Sequence, residues 1–503
     1  MNTIGFLQTN QSLNHKSKKA PWNSKPSKNS TIFGKNIFLP INMKKQMNDN
    51  TLVIGTSGTG KTYSFVEPNI LQGNANYIIA DAKGDILKDL GNSLVQMGYK
   101  IQVINLVDLR HSMTYNPLHY MSNQLEIMHF ADMIVSSDVT GKMSTKKANQ
   151  DPFWTNAAGN VLQALILFVK EFLPQDQQTI GNVVNLFDIL NMSPANISDA
   201  LELLKGSKLN YEYQLKSADD NDTIGNHIFA WAEEQKQDSQ AVKAWRKIAD
   251  TQGAARTWSS IMSILGAALS RYALHDVVNI MSSNQLKFSE LLKSKTALFI
   301  LYDDADSSKN YISNTLYTQL FGFLYKAARR FGNKLPIKVR LFLDDFKNIS
   351  IPNFDDYIAT SRSRNISICM MLQNESQLVA KFGENAQSVI GNCSAYLLTG
   401  TTDLHMAKIA ADRFGISANE IRLKDDDHFL LDLSGHIANP IRYDFHKHPA
   451  YVDKAYNINK HFVTPVFQNR ENTELLNIVK SMPGVLSPFD LFNDDDTLSK
   501  END

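Results

Sequence analysis

Cysteine is scarce in this chain: 503 residues hold two, Cys369 and Cys393. That excludes a disulfide framework, and both thiols sit in apolar stretches, as small core residues do in a reducing compartment. Long hydrophobic runs are also missing. The longest candidate, residues 161–169, falls well short of the roughly 18 residues that span a bilayer, and it sits within a helical pattern. The N-terminus lacks the apolar core of a signal peptide. Net charge is zero, with 51 basic and 51 acidic residues, so bulk charge announces no nucleic-acid partner. Together these shortages predict a cytoplasmic protein that meets a membrane only through a partner.

What is present is ordinary for a globular protein: 43% hydrophobic and 20% charged residues. The length suits two or three domains at about 150 residues each. Charge is unevenly spread. Lys16, Lys18, Lys19, Lys25, Lys28, Lys35, Lys44 and Lys45 all precede the first acid, whereas Asp490, Asp494, Asp495, Asp496, Glu501 and Asp503 crowd the C-terminus against Lys500. Residues 1–31 read as a disordered basic arm and 466–503 as an acidic tail. They serve either as interaction arms or as solvated ends.

The strongest signal is Gly55-Thr56-Ser57-Gly58-Thr59-Gly60-Lys61-Thr62, which meets the G-x-x-x-x-G-K-[ST] pattern at every defined position. Its context agrees. Leu52-Val53-Ile54 reads as the end of a buried strand, and Tyr63-Ser64-Phe65-Val66 as the start of a helix. Such a loop wraps phosphates with backbone N–H groups at a helix N-terminus. All eight residues are candidate nucleotide contacts; Lys61 reaches the β- and γ-phosphates, and the Thr62 hydroxyl ligates Mg2+.

Residues 32–40 alternate weakly, as a short strand does. Over residues 50–118 strand patterns at 52–54, 77–80 and 101–104 alternate with helical ones after Lys61 and over 86–97. That alternation predicts a parallel sheet. From about residue 119 to residue 293 the pattern is helical, for example at Ala157, Ala158, Val161, Leu162, Leu165 and Ile166. Within it, residues 205–240 are polar and read as loop or surface helix. Strand signals return at 297–302, 340–343, 366–372 and 395–398. The simplest architecture is an α/β nucleotide domain, residues 32–118 and 294–465, interrupted by an all-α domain over 119–293.

Phosphoryl transfer also needs a carboxylate for the metal and a group that orients the attacking water. Leu341-Phe342-Leu343-Asp344-Asp345 is an apolar strand ending in two acids. Asp344 fits the metal side and Asp345 the water-polarising position. Further on, Ser361-Arg362-Ser363-Arg364 precedes a strand that ends at Gln373. A polar strand end beside the nucleotide strand can sense the γ-phosphate, and an arginine here can serve a neighbouring subunit. A surface ion pair and a capped strand end are the plainer readings of the same residues.

Joined by Asp81-Ala82-Lys83-Gly84-Asp85, Tyr115-Asn116-Pro117-Leu118, Phe153-Trp154, Leu372-Gln373 and Gly391-Asn392-Cys393, these motifs run in order over about residues 50–420. In that order they resemble the type IV secretion system coupling proteins of conjugative DNA transfer. The D-x-K-G-[DE] segment and the S-R-x-R…L-Q block carry the likeness; the phosphate loop alone is generic. The resemblance implies a RecA-like P-loop NTPase domain with a mostly parallel sheet and an inserted all-α domain. It implies hydrolysis of ATP with Mg2+, binding of DNA, single-stranded by preference, and assembly into hexamers. It also implies recruitment of a relaxase–DNA complex to a secretion channel. Lys61, Asp345, Arg362 and Gln373 become the catalytic set, with Arg362 as an arginine finger and Gln373 as the γ-phosphate sensor.

Two departures stand out. The family usually carries two N-terminal transmembrane helices, absent here, so the likeness is to the Gram-positive type that relies on a separate membrane protein of the channel. Asp-Glu is also commoner in the family than Asp344-Asp345. Two rival readings remain: a nucleotide-gated cargo receptor with little hydrolysis, and a ring DNA translocase of chromosome or repair type. The 81–85 segment and the helical insertion argue against the second. His446-Lys447-His448 lacks a Cys or acid that would complete a metal spacing. Trp245-Arg246 and Arg256-Thr257-Trp258 read as buried tryptophans with exposed arginines rather than as single-strand binders.

Overall fold

The computed structural model describes residues 21–41, 47–136, 152–190, 224–252, 254–303, 305–425, 427–451 and 462. The expectations for residues 1–20, 205–223 and 466–503 fall outside these. Contacts gather the chain into two compact units, one of residues 1–74 and 368–451, the other of 75–367 and 452–503. The described strands are β1 (Ser30–Gly34), β2 (Ile37–Pro40), β3 (Thr51–Gly55), β4 (Asn76–Asp81), β5 (Lys100–Asn105), β6 (Thr296–Leu301), β7 (Val339–Leu343), β8 (Ile366–Leu372), β9 (Ala395–Gly400), β10 (Leu430–Leu433) and β11 (His436–Ala438). The chain passes from the second unit to the first within β8.

In the first unit β3 lies between β8 and β9 and runs parallel to both. All five of its residues are buried, so it reads as a short apolar run rather than an alternation. β10 joins β9 antiparallel, and β11 joins β10. These two strands have no counterpart in the sequence expectations. Their turn is Ser434-Gly435, with φ of +50° and +87°, the two left-handed residues that a tight hairpin requires. β1 and β2 likewise form a hairpin where one strand was expected over 32–40. Asn23 bridges to Phe38, which corrects the expectation of a disordered arm for its described part, residues 21–31: backbone pairing holds that stretch in place.

The second unit has β4, β5, β6 and β7 in the order β7-β4-β6-β5, all parallel. β4, β6 and β7 are buried throughout. Between β5 and β6 the described chain is largely helical, including Gln124–Ser136, Pro152–Phe172, Ile180–Leu190, Ile224–Gln235, Gln240–Gln252 and Ala255–Leu269. Helix Ile224–Gln235 corrects the polar reading of 205–240: Ile228, Phe229, Trp231 and Ala232 are buried. Their spacing of three and four residues builds one apolar stripe in a polar stretch. Phe229 and Trp245 stack at 4.3 Å. Gly225 admits that close packing, since a Cβ there would come 2.4 Å from the Trp245 ring. Trp245 is buried beside an exposed Arg246, and Trp258 is half-buried. Among the described residues no single helix is long and apolar enough to cross a membrane.

Beyond β11 the chain returns to the helix that follows the phosphate loop. His448 is buried there: its Nδ1 accepts the Ala450 N–H at 3.2 Å, and its Nε2 lies 3.4 Å from Gln72 Oε1. Gln72 in turn donates to Ser30 O at 2.9 Å. Burial pushes the imidazole down from 6.5 to about 4, so the folded state prefers the neutral ring. The stability it contributes is complete above pH 6.5 and is lost as pH falls from 6.5 to 4. Urea titrations across that window should therefore show the wild type losing more stability than His448→Gln, by up to about 2 kcal/mol after allowance for partial solvent exposure.

Candidate functional site

β3 delivers the phosphate loop, and Gly55 is where a side chain has no room. A Cβ there would lie 2.0 Å from Thr399 Oγ1 and 2.5 Å from Thr59 Oγ1. Those two hydroxyls bond each other at 2.7 Å, and the Thr56 N–H donates to Gly400 O at 3.2 Å. The loop then turns through Gly58 and Gly60, at φ +83° and +87°, a region that residues with a Cβ resist. Lys61 Nζ donates to Gly55 O at 2.5 Å and Thr56 O at 3.0 Å, so the ammonium lies over the start of the loop. The helix opens at Thr62 with a widened turn, the Glu67 N–H reaching back five residues to Thr62 O, and continues over Glu67–Leu71. Its first N–H groups have no partner within the helix and carry the positive end of its dipole, which suits an anion.

Gln373 is placed by register. The β3–β8 pair matches Ile54 with Leu372, which sets Gln373 level with Gly55. Its side chain is exposed, and its backbone N–H donates to Gln377 Oε1 at 3.0 Å.

The sequence reading missed a third group in this unit. Tyr63 OH donates to Asp444 Oδ1 at 2.7 Å and lies 2.9 Å from His446 Nδ1. Burial, reinforced by Asp444, pushes that phenol up to about 12. Arg442 Nε donates to Ser64 Oγ at 2.9 Å, across 378 positions of sequence. No local pattern connects residues so far apart.

The second unit holds the acids. Parallel register between β4 and β7 matches Ala80 with Leu343, so Asp81 and Asp344 stand level at the C-terminal ends of neighbouring strands. Asp81 is buried, and its Oδ2 accepts the Leu87 N–H at 2.9 Å. Burial first, and the Asp344 charge as well, push it up to about 6 against backbone N–H bonds from Leu87, Ile86 and Lys83. The D-x-K-G-[DE] segment thus has a local reason. Asp81 anchors the first turn of helix Asp85–Gln96, and Gly84, at φ +77°, lets the chain enter it.

Asp344 is half-buried; its Oδ1 accepts the Asp345 N–H at 3.0 Å and its backbone O accepts the Tyr302 hydroxyl at 2.5 Å. Asp345 has φ +47° and ψ +50°. Left-handed backbone favours Asp and Asn over longer side chains, a physical reason for Asp at this position. Asp345 Oδ2 accepts Asn348 Nδ2 at 2.6 Å, with Lys347 Nζ 3.5 Å from Oδ1. Arg362 sits on the short turn Ser361–Arg364, exposed and with no side-chain partner among the described residues. Arg364, by contrast, lies 3.5 Å from Asn333 O and over the Tyr325 ring. The loop and Gln373 belong to the first unit, and Asp344, Asp345 and Arg362 to the second.

A parallel α/β core with a phosphate loop after its strand and a large helical region is the RecA-like P-loop NTPase class of fold. The chain belongs to the type IV secretory system conjugative DNA transfer family, whose model matches residues 10–417. No curated protein matches it by sequence. Among solved structures it is similar to the unbound bacterial conjugative coupling protein TrwB, with a TM-score of 0.56 and 14% identity over 85% of this chain and 92% of that one. It is similar also to TrwB in complex with ADP and Mg2+, with a TM-score of 0.55 and 15% identity over 86% and 93% of the two chains. TrwB with the ATP analogue ADPNP gives 0.54 and 14% over 85% and 93%. At such identities the likeness is one of fold.

The crowding at Gly55 yields a direct test. Gly55→Ala should destabilise the protein by about 1–3 kcal/mol, the usual cost of overpacking. Thermal melts should show Gly55→Ala/Thr399→Ala regaining part of that loss, because the second change removes the nearest hydroxyl.

Proposed function

We propose that this chain is an ATP-driven coupling motor for conjugative DNA transfer. The observation that carries the proposal is the phosphate loop itself: a Gly55 with no room for a side chain, two left-handed glycines and Lys61 at the start of a helix, in a member of a conjugative transfer family. The donor set fits ATP and Mg2+: backbone N–H groups and Lys61 for phosphates, the Thr62 hydroxyl and the Asp344 carboxylate for the metal. Mg2+, when bound, offsets the negative charge that phosphoryl transfer gathers on the phosphate oxygens. Asp345 orients the attacking water, and Gln373, level with Gly55, senses the γ-phosphate. Arg362, exposed and with no side-chain partner among the described residues, acts across a subunit boundary in a hexamer. The division into a nucleotide domain, 32–118 with 294–465, and an all-α domain, 119–293, belongs to the same proposal. The motor acts on DNA, single-stranded by preference, engages a relaxase and docks on a membrane protein of the secretion channel.

One observation favours the rival receptor reading. The Asp345 carboxylate is already engaged by Asn348 and flanked by Lys347, so its oxygens are occupied by protein partners.

Steady-state ATP hydrolysis, with and without single-stranded DNA, decides between them. The motor reading expects turnover that DNA raises and Lys61→Ala abolishes. Asp345→Asn, which keeps the left-handed backbone, should remove hydrolysis and keep ATP binding. Arg362→Ala should slow turnover on the order of 10³-fold. Mixing Arg362→Ala with Lys61→Ala subunits should restore part of it, since each supplies what the other lacks. Tight ATP binding without turnover in assembled protein would favour the receptor.

A further inference from the structure

Arg442 is fixed at both ends. Its backbone N–H donates to Asp427 O at 2.8 Å, and its neighbour Ile441 bridges to His428. Its Nε donates to Ser64 Oγ at 2.9 Å, and the guanidinium carbon lies 5.9 Å from the centre of the Tyr63 ring. The tip then reaches the phosphate loop. A Cβ on Gly60 would come 2.5 Å from Arg442 Nη2 and 2.8 Å from Cζ. A half-buried cation therefore abuts the loop backbone one residue before Lys61. Among the described residues its Nη1 and Nη2 donate to no protein acceptor. Asp444, two residues on, is taken up by Tyr63 and His446.

A half-buried guanidinium without a carboxylate is costly unless an anion completes it. The surroundings already favour one, because the helix opening at Thr62 presents the positive end of its dipole there. We infer that Arg442 is a second phosphate-binding cation of this loop, gripping the phosphates common to ADP and ATP. The inference rests on the nucleotide reading above. Position decides which phosphates. Lys61 leans towards Gly55 and Thr56 at the start of the loop, whereas Arg442 lies at Gly60, Tyr63 and Ser64, where the helix begins. A planar guanidinium can give two N–H bonds to one phosphate. The absence of a side chain at residue 60 is then needed twice, for the left-handed turn and for the arginine.

Titration calorimetry on the full chain with Mg-ADP and Mg-ATP tests this, using wild type, Arg442→Gln, Arg442→Lys, Ser64→Ala and Lys61→Ala. Arg442→Gln is expected to weaken ADP and ATP alike by about tenfold or more, the size of a lost charge-assisted hydrogen bond. Arg442→Lys should recover part of that loss. Ser64→Ala, which removes only the neutral partner of Nε, should lose less than Arg442→Gln. Melting of the nucleotide-free proteins supplies the control for a purely structural clamp. If Arg442→Gln and Ser64→Ala lower the melting temperature together while ADP affinity stays at the wild-type value, the inference is overturned and the nucleotide site stands. A loss confined to ATP overturns the assignment to the shared phosphates. If the wild type binds neither nucleotide, or Lys61→Ala binds as well as wild type, the nucleotide reading fails and this one with it.

Discussion

A strand that ends without a side chain is the constraint on which the phosphate loop depends. β3 is pressed between two parallel neighbours and is buried along its whole length. At its last residue the hydroxyls of Thr59 and Thr399 close over the backbone, leaving no space for a Cβ. The chain must leave the sheet there, reverse through two left-handed residues and enter a helix within a few positions. Each left-handed step costs a residue with a side chain about 1–2 kcal/mol, so glycine is the only inexpensive choice. That backbone path brings the start of the helix, with the positive end of its dipole, to the loop. Lys61 and Thr62 matter only because the path brings them to the same opening.

Much of this was legible because it is local. A motif with fixed spacing, a buried strand before it and a helix after it are all written within a dozen neighbouring residues. The parallel strands were legible for a related reason: strands covered on both faces become continuous apolar runs. What stayed hidden depends on long-range placement. Ser434-Gly435 is a recognisable turn, yet β10 and β11 are so short that no periodicity develops beside it. Helix Ile224–Gln235 carries its apolar stripe on a few residues scattered through polar sequence. Arg442 carries no signal of its own, because its meaning comes from Gly60 and Ser64, which only folding brings to it.

Register is the intermediate case. The segment Asp81-Ala82-Lys83-Gly84-Asp85 could be matched as a pattern, but its chemistry could not be derived from spacing. Only the pairing of Ala80 with Leu343 puts Asp81 beside Asp344. The sequence pattern does not report that alignment, since both strands are buried along their whole length and show no alternation that would fix a register. Once aligned, the two acids make a demanding environment. Asp81 is buried and already bonded to a helix terminus, and Asp344 adds a like charge. Two ionised carboxylates at one end of a sheet repel each other, and a divalent cation removes that repulsion. The metal role proposed for Asp344 would relieve that repulsion.

Three arginines of the second unit differ in how they are held. Arg340 is buried within β7. Arg364 is engaged by Asn333 and Tyr325. Arg362 lies between these two in sequence, on a turn that breaks the helix Phe354–Thr360 before β8 begins. The turn points one guanidinium inward and leaves the other exposed, on backbone fixed by neighbouring buried residues. Among the described residues Arg362 has no side-chain partner, which is the condition that the proposed role across a subunit boundary requires. The exposure of Arg362 is thus the feature that the proposed ring uses and that an isolated subunit leaves without an obvious role.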